Sequence, residues 1–107
     1  MRQAHHKQLP TCPAAAALTV FGDAWTLFII DALSTGGRRF SELERSIQNI
    51  CPVTLANRLK KLEQLGFIHR EEGTLDKLSV VYFLTEKGSG MLPIIKKMRV
   101  YAERYLT

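Results

Sequence analysis

The stretch from Pro52 to Gly66 restricts the fold more than any other part of the chain. Proline at the first position of a helix and glycine just past its last is the asymmetry expected at helix boundaries. The sequence therefore predicts a helix from Pro52 to about Leu65. Leu55, Leu59 and Leu62 recur at helical spacing and give it one apolar stripe. Rotated away from that stripe are Thr54, Asn57, Arg58 and Lys61, all hydrogen-bond donors suited to nucleic acid. Upstream, Ser41 is placed to cap a short helix carrying Leu43 and Ile47, and Gln48 to Pro52 breaks it. A short helix, a turn and a longer helix with a polar outer face make a helix-turn-helix pattern.

The flanking segments extend the pattern. Residues 1–11 are polar and read as a flexible arm; residues 12–107 read as one domain. Cys12-Pro13 opens a first helix. Gly22-Asp23 ends it, and Asp23 can cap the next. That second helix, about Ala24 to Leu33, is apolar nearly all round, as a central core helix would be. Arg38 to Phe40 can form a very short strand. After Gly66 the period becomes extended. Phe67 to Glu72 and Leu78 to Leu84 read as strands joined across Gly73 to Lys77, a hairpin that forms a wing. A last helix from Thr85–Gly88 to about Tyr105 keeps Met91, Ile94/Ile95, Met98, Tyr101/Ala102 and Tyr105 on one apolar face. Pro93 inside it should kink it. The expected class is mainly α with a small β-hairpin.

Charge narrows the partners. Fifteen Lys and Arg against ten Asp and Glu give a net charge of +5, which favours anionic partners. Two cysteines, Cys12 and Cys51, are too few for a disulfide scaffold. The N-terminus has no apolar core of a secretory signal, and no apolar run is long enough to span a bilayer. The cytoplasm is the expected compartment, with no membrane partner. His5 and His6 lack a carboxylate cluster to complete a metal site, and neither metal nor cofactor is expected. No Ser-His-Asp set, phosphate loop or Cys-x-x-Cys pair points to an enzyme.

Taken in order, these residues resemble the HxlR-type winged-helix transcription regulators of bacteria. Cys12-Pro13 resembles the family's N-terminal Cys-Pro, and Gly22-Asp23-Ala24-Trp25-Thr26-Leu27 its Gly-x-Lys-Trp-Thr-Leu. Arg39-Phe40-Ser41-Glu42-Leu43 resembles its Arg-Phe-x-x-Leu. Leu55, Arg58-Leu59, Leu62-Glu63 and Gly66 resemble its Leu-x-x-Arg-Leu-x-x-Leu-Glu-x-x-Gly, and Tyr82 to Gly88 its Tyr-x-Leu-Thr-x-x-Gly. The resemblance implies a homodimer formed by the first and last helices. It would bind double-stranded DNA at an inverted repeat, recognition helix in the major groove and wing along the backbone. Cys51 and Val53 stand where serine and lysine are common in the family.

Within that frame Asn57 suits adenine, Arg58 guanine or a phosphate, and Thr54 a base edge or thymine methyl. Val53 joins them at the start of the helix. Arg38, Arg39, Lys60, Lys61 and Lys77 suit phosphates, as do Ser41 and Thr54 at helix starts. Cys51, at a helix N-terminus, is either a thiolate sensor or a small buried residue in place of a serine cap. The resemblance implies that Cys12 senses oxidants, quinones or aldehydes, and that a Cys12–Cys51 bond across the dimer is one route. A small-molecule or electrophile effector stays open. So does a second function, a winged helix that binds protein rather than DNA; its recognition face would be apolar.

Overall fold

Local signals set the first two helices. The computed structural model describes residues 9–73 and 79–107. Helix α1 spans Pro13–Phe21 and α2 spans Ala24–Ala32, bent 80° from one another. Asp23 caps α2 as the sequence predicts, accepting from the Thr26 N–H at 2.9 Å and the Thr26 hydroxyl at 2.8 Å. Thr26 is thereby satisfied although only 1% exposed. Ile29, Ile30 and Leu33 carry α2 into the core, while Phe28 stays half exposed. The helix is thus central but not apolar-buried all round.

A glycine turn leads to β1, Arg38–Arg39, then to α3, Phe40–Ser46. Ser41 lies inside α3 and does not cap it. The Arg39 backbone N–H donates to Glu42 Oε1 at 2.8 Å, so the cap comes from a glutamate reaching back. Asn49, at φ 67°, makes the corner between α3 and α4; asparagine tolerates that left-handed conformation better than most residues.

Helix α4, Pro52–Gln64, is the predicted recognition helix. Leu55, Leu59 and Leu62 are at most 2% exposed and pack with Leu43, Ile47, Ile29 and Ile30. Each such leucine contributes about 1.5–3 kcal/mol of burial. At its end Gly66 takes φ 84°. The Phe67 N–H reaches Leu62 O at 2.9 Å and the Gly66 N–H reaches Glu63 O at 3.1 Å, a paired closure that leaves no stray amide.

The wing is a three-stranded sheet rather than a bare hairpin. Strands β2, Ile68–Glu71, and β3, Val81–Leu84, pair antiparallel, and β1 adds on the far side of β3. Arg38, Tyr82 and Arg70 share one row across it. The Gly73–Lys77 turn is expected from sequence; residues 74–78 of it and of the next strand lie outside the described residues, as do residues 1–8 of the arm.

The last segment divides. Thr85 caps α5, Glu86–Ser89, and α6 runs Leu92–Tyr105. Pro93 does not kink a long helix; it sits in the first turn of α6, where its missing N–H has no helical partner to lose. Segment α5 clamps the end of α4. The Thr85 hydroxyl donates to Gly66 O at 2.6 Å, the Lys87 ammonium to Leu65 O at 2.8 Å, and Lys87 also lies over the Phe67 ring. Gly88 is buried in this clamp. A Cβ there would stand 2.0 Å from Phe67 O, a backbone atom with no freedom to retreat. Gly88→Ala is therefore expected to cost about 1–3 kcal/mol, read as a lower urea midpoint at unchanged slope.

Candidate nucleic-acid interface

The exposed side of α4 carries the polar residues that the sequence singles out, with one exception. Asn57, Lys60 and Lys61 are exposed, Thr54 is half-buried and Val53 is 65% exposed. Arg58 instead lies on the flank between this face and the leucine stripe. Its Nε donates to Asp23 Oδ1 at 3.3 Å, with about a third of each side chain exposed. Asp23 thus serves two helices. Partial burial works against its charge, but the Thr26 N–H and hydroxyl and Arg58 outweigh that and hold the carboxyl below its usual range.

The basic residues before α4 differ in freedom. Arg38 is half-buried, its guanidinium donating to the Thr35 hydroxyl at 2.8 Å and to Gly37 O at 3.3 Å. It folds the turn it leaves. Arg39 and Ser41 are exposed and line a notch of about 350 Å³ with Arg70, Val80 and Tyr82, between α3 and the wing. Arg70, 3.6 Å from Glu72, is a candidate phosphate contact that sequence reading missed. Its place beside Arg39 depends on the β1-β3-β2 pairing, which no local pattern encodes. Lys77 lies outside the described residues.

Both cysteines occupy the same local setting. Cys12 and Cys51 are the N-cap residues of α1 and α4, each followed by proline, and both are free and exposed. Cys51 is therefore not a small buried residue. Neither sulfur makes a capping hydrogen bond, yet the helix-start amides favour the thiolates: Ala15 and Ala14 lower the Cys12 thiol, Thr54 and Val53 the Cys51 thiol. Desolvation and, less strongly, Glu44 oppose the effect at Cys51 without reversing it.

A second surface lies on the opposite side of α2. The apolar face predicted for the last helix splits in two. Met91, Leu92 and Ile95 turn to the core. Ile94, Met98, Tyr101 and Tyr105 are each at least half exposed. Between α6 and α2 runs a groove of about 750 Å³, with Leu27, Phe28, Ile94, Met98, Tyr101 and Leu106 among its walls. Asp31 and Arg99 tie the two helices beside it at 3.0 Å. On α1, Leu18 is 69% exposed and no residue is buried. Among the described residues no group of three or more His, Cys, Asp and Glu is placed to hold a metal ion, and no single helix is long and apolar enough to cross a membrane.

The model of one family, HxlR-like helix-turn-helix, matches residues 20–107. The chain belongs to the HxlR-like helix-turn-helix family. Other likenesses agree with that membership. The HTH-type transcriptional regulator YodB of Bacillus subtilis is 34% identical over 95 residues, 88% of this chain and 85% of YodB. The structure of its reduced form superposes with a TM-score of 0.75 over 90% of this chain and 95% of that one. The redox regulator HypR in its oxidized form is 32% identical, with a TM-score of 0.77 over 87% and 96%. The HxlR-like chain described here is thus a winged helix-turn-helix protein whose relatives are named as transcriptional regulators, not enzymes.

Proposed function

We propose that this HxlR-like protein is a sequence-specific transcriptional regulator that binds an inverted-repeat operator as a homodimer, with residues 12–107 as the working unit. The observation that carries the reading is the two-sidedness of α4. One side is anchored by Leu55, Leu59 and Leu62; the other presents Asn57, Lys60 and Lys61 to solvent, with Thr54 half-buried at its edge. A helix of that kind enters a major groove with its donors on the base edges. The polar face counts against the alternative of a protein-binding winged helix. The wing and the Arg39–Arg70 notch lie along the backbone, where phosphates position the protein without specifying sequence.

The unpartnered apolar faces of α1 and α6 support dimerisation through those helices. The paired Cys-Pro caps support a thiol switch in the cytoplasm, as does one relative, YodB, whose structures include quinone-bound and diamide-treated forms. No cofactor is required for any of this.

The reading is tested on the intergenic DNA beside the gene, searched for an inverted repeat with half-sites about one helical turn apart. Binding to that duplex should exceed binding to scrambled duplex. Asn57→Ala should lower the operator affinity by about 1–3 kcal/mol for each half-site base pair it reads, leaving scrambled-duplex binding unchanged. Equal losses on both duplexes would remove Asn57 from base reading.

A further inference from the structure

The bond between Asp23 and Arg58 joins positions 35 residues apart. Only Nε of Arg58 has a partner among the described residues. The two terminal nitrogens make no hydrogen bond among the described residues, and the guanidinium is held at its Nε edge. The carboxylate that holds it is itself tied to the start of α2. Asp23 begins α2, its Oδ1 takes the Thr26 N–H, its Oδ2 takes the Thr26 hydroxyl, and Thr26 is buried in the core. Arg58 sits one helical turn beyond the half-buried Thr54. That places it at the shoulder of α4 rather than at the centre of the exposed face, with about a third of its side chain exposed.

We propose that Asp23 is a positioning residue for DNA binding, orienting Arg58 so that its terminal nitrogens clamp a backbone phosphate beside the recognition helix. The inference rests on the DNA-binding reading and refines it, since it makes Arg58 a phosphate contact and not a guanine reader. Holding a long, flexible side chain in its bound orientation removes part of the ordering cost of association. The planar guanidinium is suited to this, because it can give one edge to the carboxylate and the other to phosphate. Lysine has no second edge. The arrangement also places an acidic group near the polyanion, which simple charge considerations would disfavour; its use as a support accounts for that placement.

The sign of one substitution separates the two views. Ser caps helices about as well as Asp, so Asp23→Ser keeps an oxygen for the Thr26 N–H at the start of α2 and removes the carboxylate that holds Arg58. If Asp23 were only a nearby negative charge, its neutralisation would strengthen DNA binding. If it orients Arg58, binding should weaken by roughly tenfold, the loss of an oriented charge-assisted hydrogen bond. The loss should be equal on operator and scrambled duplex, as for a phosphate contact. Arg58→Lys, which leaves the cap untouched, should weaken both duplexes similarly, and the double variant should bind no worse than Arg58→Lys alone. Thermal midpoints of all variants are measured alongside. Duplex binding by Asp23→Ser equal to or tighter than wild type would overturn the inference, as would additive losses in the double variant or a loss confined to the operator. A wild-type chain that binds no duplex would instead overturn the parent reading, and this inference with it.

Discussion

Met98→Asp is expected to turn the protein into a monomer and to weaken operator binding by about 10²–10⁴-fold, the gain that comes from linking two half-site contacts. Met98 stands in the middle of the outward α6 face, four residues after Ile94 and three before Tyr101, and is 50% exposed. Nothing in the protomer's core depends on it, so the substitution should leave the fold and its circular dichroism unchanged. In a dimer the carboxylate would be buried against Phe28, Tyr101 and their counterparts without a partner, which is far costlier than losing an apolar contact. Sedimentation or light scattering at micromolar chain concentration reads the first effect and duplex titration the second. A variant that stays dimeric would move the interface away from α6.

Oxidation is expected to have an effect of similar size. Diamide should take two electrons and two protons from the Cys12 thiol of one protomer and the Cys51 thiol of the other, leaving a disulfide and reduced diamide. The product would run as a covalent dimer on a non-reducing gel. Cys12→Ser and Cys51→Ser should each prevent it. Because Cys51 caps α4, a bond there fixes the start of the recognition helix. Where that fixed geometry keeps both half-sites from being engaged together, the same ~10²–10⁴-fold avidity is forfeited. Dithiothreitol should restore it. Both thiols are lowered by helix-start amides, so the thiolate is populated at lower pH than in an ordinary cysteine. Alkylation by iodoacetamide should accordingly rise with pH and reach half its maximum below the ordinary thiol range near pH 8.5. A covalent dimer that persists in Cys51→Ser would reassign the partner cysteine, and unchanged operator affinity after full oxidation would dismiss the switch.

Features written locally were legible in the sequence. Pro13, Asp23, Pro52 and Gly66 mark helix ends by conformational preferences that act within a few residues, and the structure uses each of them so. The leucine stripe of α4 is legible for the same reason. What failed turned either on a choice between two local partners or on distant contacts. Ser41 loses the cap to Glu42, because both sit at the same helix start and only the carboxylate reaches back to Arg39. Pro93 has two acceptable placements, inside a long helix or in the first turn of a new one, and a break after α5 decides between them. Arg58 has helical spacing compatible with an outward role, and a partner 35 residues away draws it to the flank. Arg70 enters the notch beside Arg39 only because β3 lies between β1 and β2. Of the candidate interface, the exposed face of α4 was thus readable and its supports were not.

One measurement bears most directly on the central claim: fluorescence anisotropy of the wild-type chain on the inverted-repeat duplex and on a scrambled duplex, across a range of salt. The expected result is saturation at two chains per operator and a preference of at least about 10³ for the inverted repeat. The logarithm of affinity should fall linearly with that of salt, by about 0.9 for each phosphate neutralised. Equal, weak binding to both duplexes at every salt concentration would contradict a sequence-specific regulator.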